Sequence, residues 1–209
     1  MQPIRLEEIL GRERYGAERE AIRRRLIAHK RVRRVSVGDR LTFLFEDRTT
    51  VWYQIQEMLW VEHVTDLDAV RSELAVYNQL VPGADEFSTT LLVEIEDQTR
   101  IREELQRLIG IDEHVALEIG AGLRVAGVFE AGRQTAERLS AVQYVRFLLD
   151  PAARARVAAG APLALAASHP NHQARAALPE AVRASLVADL TDAAAVDAAL
   201  ASVRDGGGA

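Results

Sequence analysis

The chain has no cysteine, and that one absence removes disulfides, thiolate nucleophiles, cysteine zinc sites and cysteine-ligated iron–sulfur clusters. Redox chemistry would have to run through a cofactor with nitrogen or oxygen ligands, or through a partner. No apolar run approaches the roughly 20 residues needed to cross a bilayer. The opening residues are charged from Arg5 onward and carry no apolar segment of the kind a signal peptide needs. Together these absences give the expectation of a cytoplasmic protein with no membrane association. Linkers rich in Gly, Ser or Pro are missing from the interior, and no internal repeat is found. The 209 residues therefore read as a single domain over 1–190, with 191–209, rich in alanine and glycine, left as a frayed or disordered tail.

Aromatic residues are scarce at 5%, yet both tryptophans fall within the one stretch Phe43 to Val64. Charge is also unevenly spread. The net charge is −5, but Arg23 to Arg34 holds seven arginines and lysines in twelve residues without an acid. Such a block is either a solvated, salt-bridged helix face or a nucleic-acid footprint. No aromatics are interleaved for base stacking, which favours the first reading over nucleic-acid binding through 23–34.

Periodicity supplies the elements. Residues 6–30 read as a short helix followed by a longer one, because Gly11 and Gly16 weaken the middle. Alternation over 32–46 predicts a hairpin whose two-residue turn is Gly38-Asp39. A helix capped by Asp47 or Thr49 runs to about Val64, and a second starts at Thr65 with the stripe Leu67, Val70, Leu74, Tyr77. Phe87 to Glu96 alternates as a strand, and a helix capped by Asp97 covers about 98–109. Residues 114–119, 123–129 and 139–149 predict an antiparallel meander. A short helix over 151–160, a strand over 163–167, a turn over 168–172 and a helix over 179–190 complete an α+β fold, its antiparallel sheet covered by helices.

On the helix after Asp47, Val51, Ile55, Met58 and Leu59 form one stripe, and Glu62 projects from it at 100° per residue. A carboxylate on a buried face needs a cation, and Arg33 or Arg34 is the expected ion-pair partner. Trp52, Tyr53 and Trp60 cannot all share the Met58 face, so these rings, with Gln56 and Arg23, Arg24 and Arg25, are the predicted partner-binding surface. Oxygen and nitrogen ligands would suit iron, manganese or zinc, with Glu57, Glu62 and His169 as metal candidates beside Glu73 and His63. Against that stands the lack of any Glu-x-x-His, His-x-x-x-His or His-Glu-x-x-His spacing. Ser36, Ser88 and Ser140 have no nucleophile-elbow context, and Gly120, Gly122 and Gly127 read as hairpin glycines rather than a phosphate loop. No reaction, substrate or cofactor follows from these residues, and a homo-oligomer is left open.

The blocks RVRRVSVGDRLTFLFEDRTTVWYQIQEMLWVEHV, SELAVYNQLVPG, STTLLVEIED, SAVQYVRF and SHPNHQARAALPEAVRASLVADL resemble the successive blocks of the bacterial family known as domain of unknown function 3501. The resemblance covers about Tyr15 to Leu190, and YQIQEM and VYNQLVPG are its most specific parts. Tyr53, Gln54, Gln56, Glu57, Glu62, Tyr77, Asn78 and His169 fit the family pattern, which has arginine at the positions of Trp60 and His63 and tyrosine at that of His172. The family carries no assigned activity. Its members are encoded beside rubrerythrin-like proteins and iron–sulfur proteins, so the resemblance implies an accessory or docking protein for a redox partner. The rival expectation is a metal-dependent enzyme with a Glu/His site.

Overall fold

A computed structural model describes residues 1–132, 135 and 138–206; residues 207–209 of the expected tail lie outside the described residues. Among these, β1 (Arg34–Val37), β2 (Leu41–Phe45), β3 (Glu86–Val93), β4 (Val115–Ile119), β5 (Leu123–Phe129), β6 (Val142–Leu148), β7 (Leu163–His169) and β8 (His172–Ala177) form one antiparallel sheet. Its order is β1-β2-β3-β6-β5-β4-β7-β8, so the expected meander of β4, β5 and β6 is present at its centre. The sheet rolls into a nearly closed barrel. Across the seam between its first and last strands, His172 Nε2 donates to the Val37 carbonyl at 2.9 Å. One face of each strand supplies the core: Val35 and Val37 are buried while Arg34 and Ser36 face out. Phe43, Phe45, Phe87, Leu91, Leu117, Phe147 and Leu165 fill the interior.

Seven α-helices surround this sheet among the described residues: α1 (Arg12–Lys30), α2 (Arg48–Val61), α3 (Leu67–Tyr77), α4 (Ile101–Arg107), α5 (Pro151–Ala158), α6 (Glu180–Thr191) and α7 (Ala193–Ala201). They divide between two cores. Leu108 after α4, Val157 of α5 and Leu186 of α6 join the barrel interior. The other core is helical: Tyr15, Ile22 and Leu26 of α1, Val51, Trp52, Ile55 and Leu59 of α2, and Val70 and Leu74 of α3 pack with the N-terminal segment.

Four local expectations need correction. Val37 pairs with Leu41, so the first hairpin turns through three residues, Gly38 to Arg40, with Gly38 at φ 71°. The cap of α3 is Asp66, whose carboxylate accepts from the amides of Asp68 and Ala69, rather than Thr65. The segment 168–172 is not simply a turn: β7 continues to His169, and β8 returns from His172 through alanines whose low β propensity conceals a strand. Residues 191–206 are not frayed. Asp192 caps α7 through the Ala195 amide at 2.9 Å, alanine is the strongest helix former, and Val196, Leu200 and Val203 are buried at helical spacing. Arg25 Nε also donates to the Val203 carbonyl at 2.8 Å, which fastens this segment to α1.

Candidate functional site

Helix α2 joins the two cores, and its ends have opposite chemistry. At the N-terminal end Asp47 caps the helix: its carboxylate accepts the Thr50 amide at 2.8 Å, and Thr50 Oγ1 accepts the Asp47 amide at 2.9 Å. The other Asp47 oxygen lies 2.6 Å from His29 Nε2 and 3.3 Å from Arg33 Nε. Arg33 is 1% exposed. It donates to the Phe45 carbonyl at 2.8 Å, the Glu46 carbonyl at 3.2 Å, Ser185 Oγ at 2.6 Å and Asp189 at 2.5 Å, so it ties α2 to α6. A buried guanidinium survives only with this degree of pairing.

One cation shared by two carboxylates separates their titration. Burial works against both acids, but in Asp47 the Arg33 charge and the His29 hydrogen bond outweigh it and hold the carboxyl far below the usual range. In Asp189 burial prevails over the Arg33 pairing, with the Asp47 charge nearby, and the carboxyl is pushed up to about 6. Glu46 is buried too and is raised by that burial, although Thr50 and Thr90 hydroxyls and the Gln54 amide all donate to it. Arg48 completes this end, with two hydrogen bonds to Glu8 at 2.7 and 2.8 Å and an ion pair to Asp197 of α7. Through Arg48 the N-terminal segment, α2 and the C-terminal helix meet at one side chain.

At the C-terminal end α2 opens onto a pocket of about 290 Å³. Leu6 and Ile9, Leu59 and Trp60, and Leu67 and Val70 supply its apolar walls. The N-terminal wall is fastened by the two specific sequence blocks. Gln56 accepts the Leu10 amide at 2.6 Å and donates to the Leu10 carbonyl at 3.4 Å. Asn78 does the same for Ile4, at 2.7 and 2.9 Å. Each amide side chain thus pairs with a backbone as a neighbouring strand would. Trp60 is packed edge-on against Tyr15 at 6.2 Å and lies over Gly16, where an added Cβ would come within 2.6 Å of the indole. Arg12 lies over the same ring, 4.3 Å from its centroid. Its guanidinium donates to the Trp60 carbonyl at 2.9 Å and to His63 Nδ1 at 2.6 Å, and His63 holds the left-handed backbone, φ 55°, that ends the helix.

The structure disperses the residues singled out from sequence. Glu62 is the C-cap of α2 and exposed, and it makes no ion pair among the described residues. The helical period places it on the buried stripe, but the helix stops at Val61, one residue before that projection applies. Arg33 and Arg34 are engaged elsewhere, Arg33 in the buried cluster and Arg34 with Glu94 at 2.5 Å. Glu57 is held by Arg19 at 2.7 and 2.8 Å and by the Tyr15 hydroxyl at 2.5 Å; the Arg19 hydrogen bonds lead in keeping its carboxyl below the ordinary range. His169 sits at the far end of β7. Its Nε2 donates to the Ile109 carbonyl at 3.0 Å and its Nδ1 accepts the Asn171 amide at 3.1 Å, so both ring nitrogens are used. Among the described residues no three His, Asp or Glu side chains are grouped to hold a metal. Trp52 is fully buried with its indole donating to the Glu8 carbonyl at 2.9 Å, and Gln56 is buried as well, so neither lies on an outer surface. Tyr53 and Trp60 are half-buried, Arg25 is turned to the C-terminal segment, and Arg23 and Arg24 are exposed.

Two groups escape sequence reasoning. The buried cluster has a signal, the run Glu46-Asp47-Arg48 between an apolar strand and an apolar helix. Arg12 has none, because its partners lie 48 and 51 residues away.

Comparison with known proteins bears on both ends of α2 alike. The family described as Protein of unknown function (DUF3501) matches residues 3–190. The fold is similar to the crystal structure of a novel protein of unknown function from Burkholderia pseudomallei, with 39% identity and a TM-score of 0.85 over 90% of this chain and 100% of that one. No curated protein matches.

Proposed function

The chain belongs to the family described as Protein of unknown function (DUF3501), and from that premise we propose that it is a cytoplasmic accessory protein that docks onto a redox partner. The partner would carry the iron or iron–sulfur centre that a chain without cysteine cannot bind through thiolates. The observation that carries the reading is the outer face of α1. Arg23, Arg24 and Arg31 are exposed and make no ion pair among the described residues, and Ile27, 49% exposed, sits between them. These positions recur at three- and four-residue spacings, so they share one face.

An arginine-rich face around an apolar centre suits an acidic protein surface better than nucleic acid, because interfaces concentrate Arg and apolar residues whereas single strands call for stacked rings. The redox character of the partner is supported by the family's association with rubrerythrin-like and iron–sulfur proteins. The test is affinity purification with the products of neighbouring genes under reducing, anaerobic conditions. Wild type should retain an iron-containing partner, and the double variant Arg23→Glu, Arg24→Glu should lose it. Retention by the double variant, or no iron protein with wild type, contradicts the reading.

A further inference from the structure

The pocket at the C-terminal end of α2 lies apart from the basic face of α1 and has a chemistry of its own. Its volume of about 290 Å³ stands at the lower end of small-molecule sites, roughly 300–1,000 Å³. Its walls come from three separate segments, and two of them are held from behind. Gln56 clamps Leu10 on one side, and Trp60 is wedged between Tyr15, Gly16 and Arg12 on the other. A cavity built this way is formed before a ligand arrives, which reduces the ordering cost of binding.

Arg12 is the cation of this pocket. A guanidinium has five N–H donors, and Arg12 directs hydrogen bonds at two acceptors, the Trp60 carbonyl and His63 Nδ1. Neither is a carboxylate, and among the described residues no carboxylate pairs with it. The stacking on Trp60 and the two hydrogen bonds fix the plane of the group, which is what bidentate recognition of a carboxylate requires. A wholly apolar occupant would cover this charge without a counter-ion, which is unfavourable. A strongly hydrated ion would gain nothing from walls of leucine, isoleucine, valine and tryptophan.

We propose that the pocket binds a small amphipathic carboxylate, its hydrocarbon part against Leu59, Trp60, Leu67 and Val70 and its carboxylate on Arg12. The hydrocarbon gains by leaving water, and the head group completes an ion pair that the protein leaves open. A cavity of this size takes a medium-length chain rather than a membrane lipid.

Octanoate and 1-octanol are the probes, since they share a chain and differ in the head group. Each is titrated into the full-length protein while tryptophan emission is followed; Trp60 lines the pocket and Trp52 is sealed away from it. Octanoate should saturate the signal and bind about tenfold more tightly than octanol, as expected for a charge-assisted pair. In Arg12→Gln the preference for octanoate over octanol should be lost. The comparison of the two ligands on wild type stands even if that variant does not fold. No saturable response to octanoate, or equal affinity for octanoate and octanol in wild type, overturns the proposal, and so does a folded Arg12→Gln that binds octanoate as wild type does.

Discussion

The two ends of helix α2 solve opposite problems with the same residue types. At the N-terminal end Arg33, Glu46, Asp47 and Arg48 are all at most 5% exposed, and every charge there is met by another charge or by a ring of donors. At the C-terminal end Glu62 is in solvent and Arg12 faces an apolar pocket without a carboxylate. The first end consumes its charges in joining α1, the barrel, α6 and α7. The second keeps its charge available. A charge that is fully used holds a fold together, whereas a charge left over beside a cavity can recognise something.

The contrast breaks most easily at Arg33. Arg33→Met leaves Asp47 and Asp189 buried with no guanidinium between them, and unfolding in urea should show a loss of about 3–5 kcal/mol. A loss near zero would mean that the cluster is hydrated and that the two ends do not differ.

A smaller effect comes from Asp189, whose carboxyl is raised from 3.8 to about 6. Between those values the unfolded chain releases a proton that the folded chain keeps, so this group makes stability fall as pH rises through that window. The penalty is absent below the lower value and complete above the upper one. Asp47 acts in the opposite sense, contributing stability above its ordinary range that is lost as pH falls. Asp189→Asn removes only the first effect. Its stability relative to wild type should therefore improve by about 1–2 kcal/mol on going from pH 4 to pH 6 in urea melts. A flat difference would show that the two carboxylates are not divided by their shared arginine.

The smallest effect belongs to Glu62. Glu62→Gln should alter stability by less than about 0.5 kcal/mol, the usual range for an exposed position. A loss of several kcal/mol would return the buried charge to the wrong end of the helix.

Much of the architecture is legible in the sequence, because strands such as Phe87 to Val93 and the meander around β5 alternate plainly and the helix caps at Asp47 and Asp97 are local signals. Strand β8 and helix α7 escape for a shared reason. Alanine carries little pattern, and both elements depend on what they pack against. The site is less legible. Counting forward at 100° per residue puts Glu62 inward, but nothing local announces that α2 ends at Val61. The true buried charges sit at the start of the helix, and their partners, Arg33 and Asp189, are 156 residues apart. Gln56 and Asn78 belong to the most specific blocks of the family, yet their work is to hold Leu10 and Ile4 in place, a role that only tertiary structure displays.

Amide hydrogen exchange along α2 tests the division between its ends most directly. The amides from Val51 to Ile55, above the ionic cluster, should exchange only through global unfolding, and those from Leu59 to Val64, beside the pocket, should exchange faster through local opening. Equal protection along the whole helix, or faster exchange at its N-terminal half, would contradict the account.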